Sequence, residues 1–140
     1  MPTREIIIPK GMEILYEKFH YCPGIKVGNT LYISGQVGRD ENLQVVEGIE
    51  AQFVQAFENV KKVLSAAGAT FDDVVEMITY HVTGTASEQQ PLIIPHLQLF
   101  MQVKDRYFTN QFPTWTGVGV TGLSTAGLIV EIKCTAVLED

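Results

Sequence analysis

Along the chain, apolar side chains recur at every second position in some stretches and at every third or fourth in others, and the changes of period mark the elements. Residues 5–8, EIII, read as a short first strand. Residues 24–38, GIKVGNTLYISGQVG, form a hairpin that turns at Gly28 and Asn29, residue types that tight turns favour. From Ile49 the period lengthens: Phe53, Ala56, Phe57, Val60, Leu64 and Ala67 share one helical face, and Gly68 follows as a left-handed cap. β-branched alternation returns in residues 74–82, VVEMITYHV. A second helix is expected from about Pro95, a good first-turn residue, to Tyr107 or Phe108, with Leu99, Phe100, Val103 and Tyr107 as its stripe. WTGVGVT and then LIVEIKCTAVL, residues 128–138, close the chain as two strands joined across residues 122–127. The order β-β-β-α-β-α-β-β predicts one α+β domain over residues 1–140, with about six strands in a mixed sheet and two helices on one face.

The faces of the last strand carry this further. Leu128, Val130, Ile132, Cys134, Ala136 and Leu138 point one way, and Ile129, Glu131, Lys133, Thr135 and Val137 the other. Both faces are partly apolar, yet two helices cover only one. An uncovered face bearing Ile129 and Val137 is a patch that soluble monomers rarely expose, so a second copy of the same sheet is the expected cover and the protein is expected to be a homo-oligomer. Glu131 lies on that second face among apolar neighbours. It is either an interface salt-bridge partner or a site residue with a shifted pKa.

Composition narrows the functions available. A net charge of -6 argues against a nucleic-acid partner, which requires a basic stripe to neutralise phosphates; the adjacent Lys61 and Lys62 read as a solvated helix face. No segment approaches a membrane span and no basic start leads into an apolar run, so a soluble, cytoplasmic protein without a membrane partner is expected. Cys22 and Cys134 have no CxxC or ligand-spaced histidine beside them; no metal site is expected, and both read as free thiols.

Four pieces in register, SGQ at residues 34–36, AAG at residues 66–68, the FP that introduces the fifth strand, and the pattern from Glu131 to Ala136, together resemble the reactive intermediate deaminase superfamily, also called the YjgF or L-PSP family. The resemblance spans nearly the whole chain. It implies a chorismate-mutase-like fold and a homotrimer whose sheets pack in a central barrel, with a small-molecule cleft at each subunit interface. It also implies the hydrolysis of 2-imino acids and their enamine tautomers to 2-oxo acids and ammonia, with water as nucleophile and no metal or cofactor.

By the same resemblance Glu131 is associated with the water, while Tyr21 and Ser34 contact substrate within the cleft that Gly35 of SGQ helps form. The family's arginine, two residues after the strand-introducing proline, clamps the substrate carboxylate by a bidentate pair. Here that position is Trp115, which marks an arginine-lacking branch; Gly117 stands where relatives keep a cysteine or small residue, and Met101 falls near an asparagine-type cleft position. An indole cannot pair with a carboxylate, but its face attracts cations and flat rings. Trp115 therefore either lines a ligand cleft or plugs the subunit interface, with Gly117 and Gly119 leaving room for its ring. Arg39, just after SGQVG, is the candidate replacement cation. His81 reads as a hydrogen-bonded structural histidine, His20 as the histidine nearest a cleft, and His96 as surface. Two functions stay open: a cofactor-free imine or enamine deaminase, or related hydrolase, with altered substrate; or a ligand-binding or protein-interacting trimer without turnover.

Overall fold

A computed structural model describes residues 3–83 and 94–139. Its strands are β1 (Arg4–Ile7), β2 (Gly24–Val27), β3 (Thr30–Val37), β4 (Val74–Val82), β5 (Thr114–Val120) and β6 (Val130–Val137); its helices are α1 (Glu13–Glu17), α2 (Ile49–Ala66) and α3 (Leu97–Asp105). The strands join in one mixed sheet in the order β1-β2-β3-β6-β4-β5, in which β4 and β5 run parallel and the other neighbours antiparallel. This is the expected α+β architecture. Because β4 and β5 are parallel they need a crossover, and α3 lies within it.

The predicted elements hold with shifted ends. Gly28, at φ +58, turns the β2–β3 hairpin, and Gly68, at φ +76, follows α2 in the left-handed region. The helix expected from Pro95 begins instead at Leu97, because His96 takes φ 56 and cannot continue a right-handed turn. The five-residue α1, absent from the pattern reading, carries buried Leu15, too short a stretch for a helical period to register. Among the described residues no helix is long and apolar enough to cross a membrane.

The alternation in β6 is as read from the sequence: Val130, Ile132, Cys134 and Ala136 are fully buried beneath the helices, and Glu131, Lys133 and Thr135 are half-buried on the other face. Burial pushes the Cys134 thiol up to about 12, so it behaves as an apolar filler. From α2, Phe53, Phe57, Val60, Val63 and Leu64 meet this layer, each contributing roughly 1.5–3 kcal/mol by leaving water. Aromatic rings tie α3 to α2: Phe57 stacks on Tyr107 at 4.9 Å between centroids, and Phe53 meets Phe100 edge-on at 5.2 Å. On the face without these helices, Tyr32 and Val137 stay exposed.

Candidate functional site

The ladder between β3 and β6 breaks once. Ile33 pairs with Cys134, but the next pair is Gln36 with Ile132, so Ser34 and Gly35 together oppose a single residue in a β-bulge. The extra residue turns buried Gln36 toward the helices beside Ile33, and it leaves Ser34 and Gly35 at the mouth of a cleft. That cleft encloses about 420 Å3 and is lined by Tyr21, Ser34, Gly35, Arg39, Thr125 and Glu131, with Leu15 and Phe19 as its apolar wall. A smaller recess of about 40 Å3, room for one water molecule, lies alongside and shares Tyr21, Gly35 and Arg39 with it.

Glu131 reaches this cleft only because residue 35 is glycine: a Cβ there would collide with the Glu131 carboxylate. Burial raises the Glu131 pKa, against which the nearby Arg39 guanidinium works. Tyr21 is likewise raised by burial, with Arg39 lowering it and Glu131 adding to the rise. Arg39 influences both groups, yet no ion pair joins it to Glu131 among the described residues. Its Nε is buried without a hydrogen-bond partner among the described residues, and its Nη1 lies 3.5 Å from Thr125 Oγ1, to which it donates weakly. The Ser34 hydroxyl donates to the Pro23 carbonyl at 3.2 Å and accepts from Gln36 Nε2 at 3.4 Å, so it is fixed rather than free to rotate.

Arg39 owes its position to residues that the pattern reading passed over. Asn59 of α2 donates through Nδ2 to the carbonyls of Val37, at 2.8 Å, and Arg39, at 2.9 Å. Gln52, two turns earlier, donates to the Gly127 carbonyl at 2.9 Å and accepts from the Ile129 amide at 2.6 Å, pinning the loop before β6. The signal was present. Positions 52, 56, 59 and 63 fall on one helical face, and two polar residues on a buried stripe require partners.

Trp115 and Gly117 do not join this group within the chain. They stand on β5, at the edge of the sheet, opposite Met77 and Thr79 of β4 and facing the helices. Trp115 is half-buried. Its Nε1 donates to Thr79 Oγ1 at 2.9 Å, and its ring leans on Phe100 at 5.9 Å between centroids. Thr79 in turn lies 2.7 Å from His81 Nε2. An indole only donates, so the Thr79 hydroxyl accepts from Trp115 and shares a second hydrogen bond with His81 Nε2. Burial pulls the His81 pKa down to about 4, so it is neutral near pH 7. Gly117 leaves room for Ile94, whose Cδ1 would stand 3.2 Å from a Cβ there. His20 lines a separate surface hollow with Tyr16, Tyr21 and Cys22; His96 is exposed, as is Met101. Among the described residues no cluster of His, Cys, Asp or Glu is placed to hold a metal ion.

Comparison with known proteins agrees with this arrangement of elements. The chain matches the family model described as Endoribonuclease L-PSP over residues 14–138. It is 36% identical over 137 residues to the RutC family protein YjgH of Escherichia coli (strain K12), covering 97% of this chain and 96% of that protein. The solved structure of Protein YJGH superposes with a TM-score of 0.80 at 35% identity, covering 98% of each chain. The 2-iminobutanoate/2-iminopropanoate deaminase of Dermatophagoides farinae is 32% identical over 124 residues, 85% of this chain and 86% of that one. With the matched span reaching from α1 to the end of β6, and the bulge of SGQ set against the last-strand glutamate, the chain belongs to the L-PSP family, also called the Rid or YjgF family.

Proposed function

We propose that this protein is a cofactor-free hydrolase of small imines or enamines, releasing a carbonyl product and ammonia, and that it works as a homotrimer with the cleft at each subunit interface. The single observation that carries the reading is the Glu131 carboxylate, seated against Gly35 in a cleft whose other polar groups are Tyr21, Ser34 and Arg39. A carboxylate with a raised pKa, close to the Arg39 guanidinium, is suited to hold a water and take its proton as that water adds to the C=N carbon. Tyr21 and Ser34 then contact the reacting nitrogen or the group beside it, and collapse of the adduct returns the proton to departing ammonia. A relative named for deaminating 2-iminobutanoate and 2-iminopropanoate supports this reaction class. Ribonuclease activity, the other function a family description prints, finds little support in a chain of net charge -6 whose cleft sets Arg39 beside Glu131. The trimer is supported by exposed Tyr32 and Val137 on the sheet face opposite α2.

The test generates imines in place with an amino-acid oxidase and follows ammonia and oxo-acid release. Wild-type protein should accelerate hydrolysis over buffer, more slowly for 2-aminoacrylate-type imines than relatives with an arginine at the position of Trp115. Glu131→Gln should return the rate to that of buffer. Ligand binding with no acceleration for any imine would leave the binding-only function instead. Light scattering should give about three times the 15.5 kDa chain mass, and a monomer at micromolar concentration would overturn the assembly.

A further inference from the structure

His81 is a buried polar group that the Glu131 cleft does not use. At 2% exposure it takes a place on β4 that an apolar side chain could fill, and it is not among the residues lining that cleft. Its Nε2 is engaged with Thr79 at 2.7 Å, and its ring stands edge-on to Phe100 at 4.9 Å between centroids, which fixes its orientation. What the imidazole keeps for another partner is Nδ1 and the ring edge beside it. The same ring forms part of the wall of a separate hollow.

That hollow encloses about 160 Å3 where the start of α2, the end of β4 and the residue before β6 meet. Ile49 and Phe53 come from α2, Val82 from β4 and Ile129 from the loop before β6, while Pro95 and His96 close the side that leads into α3. An apolar cavity of about 150 Å3 admits a benzene ring. Apart from the two histidines, the described lining carries no ionisable side chain, and burial pulls the His81 pKa down to about 4, so its ring adds no charge near pH 7. A wall of this kind suits one hydroxyl and no ion, since a charged group would lose its hydration with nothing to replace it. His96 adds a second sign. It is one of three described non-glycine residues at positive φ, and its φ of 56 turns the chain at the rim of the hollow. Strained residues of this sort gather where a ligand is clamped.

We propose that this hollow is a second small-molecule site, which takes an uncharged six-membered ring carrying one hydroxyl, and that the hydroxyl is hydrogen-bonded to His81. The apolar wall selects the ring and the neutral imidazole selects the hydroxyl. Among the described residues the hollow shares no lining residue with the Glu131 cleft, so the site stands or falls independently of imine hydrolysis.

The test is calorimetric titration of the intact protein with phenol and with benzene, and with phenol in the presence of sodium benzoate. Phenol and benzene should each saturate at one molecule per chain, and benzoate should not displace phenol. Ile49→Phe, at a position 38% exposed at the start of α2, sends a ring into the hollow with little disturbance of the core and should abolish binding of both. His81→Phe keeps the shape of the ring and removes its polar atoms; it should weaken phenol relative to benzene by about three- to tenfold, the loss of one neutral hydrogen bond. No saturable phenol binding, phenol binding that survives Ile49→Phe, displacement of phenol by benzoate, or an unchanged phenol-to-benzene ratio in His81→Phe would each overturn the proposal. If His81→Phe fails to fold, Ile49→Phe and the benzoate competition decide. Imine hydrolysis should be the same in Ile49→Phe as in the wild type, so failure of this site and failure of the hydrolase are read separately.

Discussion

The centre of the sheet and its β5 edge treat polar groups in opposite ways. At the β3–β6 bulge, among the described residues, Arg39 Nε is buried without a partner and no ion pair joins this guanidinium to Glu131, although the two influence each other electrostatically. At the β4–β5 edge the groups are consumed internally: the Trp115 indole donates to Thr79, Thr79 lies in hydrogen-bond contact with His81, and Lys104 takes Asp105. A satisfied buried network stiffens its surroundings, whereas groups held in place but left short of partners are available to a ligand. The bulge is therefore where bond-making chemistry is expected. The edge is expected to bear the mechanical load.

The largest expected effect separates the bulge from the edge by stability. Trp115→Ala removes a ring packed on Phe100, a donor to Thr79 and the platform under Lys104, and should cost about 3–5 kcal/mol in urea unfolding. Glu131→Gln should cost little or nothing, because it relieves a carboxylate whose charged form burial disfavours, yet it should abolish the acceleration over buffer. A stable Trp115→Ala protein beside an unstable Glu131→Gln protein would exchange the roles assigned to the bulge and the edge.

Much of this was legible in the sequence, for reasons that also explain the gaps. Period-two alternation in residues 74–82 and the stripe from Ile49 register because many residues repeat one physical demand; β4 and α2 accordingly appear at nearly the expected bounds. The bulge at Ser34 and Gly35 is a single inserted residue, and a period cannot reveal its own interruption. SGQ pointed to the site through resemblance rather than periodicity. Arg39, the candidate replacement cation, is among the residues lining the cleft, whereas the surroundings of Lys104 depend on two rings brought to it by β5 and the segment before it. Trp115 shows the limit most plainly. Its type and its position in the motif were readable, but its direction, toward the helices and away from Glu131, follows from parallel pairing with β4.

A smaller effect probes how the bulge is held. Asn59→Ala strips the donors from the Val37 and Arg39 carbonyls and should cost about 1–3 kcal/mol, the usual penalty for leaving buried acceptors unpaired. Because those carbonyls fix the backbone that carries Arg39, the same variant should also raise KM in the imine assay. The matching change at the edge, Thr79→Val, should cost similar stability through Trp115 and His81 and leave KM unchanged. Equal KM effects would mean that the bulge and the edge are mechanically coupled.

The smallest expected effect is a difference of sign in the acid range. Burial lowers the His81 pKa from 6.5 to about 4, so between those values the unfolded chain binds more protons than the native one, and native stability falls as pH drops through the window. Glu131 behaves in the opposite sense. Its raised pKa means that the native carboxyl holds its proton longer than the unfolded one, so its contribution is fully present below the ordinary value of 4.5 and is lost as pH rises through the folded pKa. Melting temperatures taken in steps from pH 4 to 6.5 should therefore tilt oppositely in two variants. In His81→Gln the rise of stability with pH should flatten, and in Glu131→Gln it should steepen. The His81 tilt should be the larger of the two, because its ring is buried beneath the helices while Glu131 faces the open cleft, where solvent screens its charge. Tilts of the same sign would mean that the carboxylate is paired after all, and an opposite Glu131 tilt that exceeds that of His81 would mean that the cleft is closed to solvent.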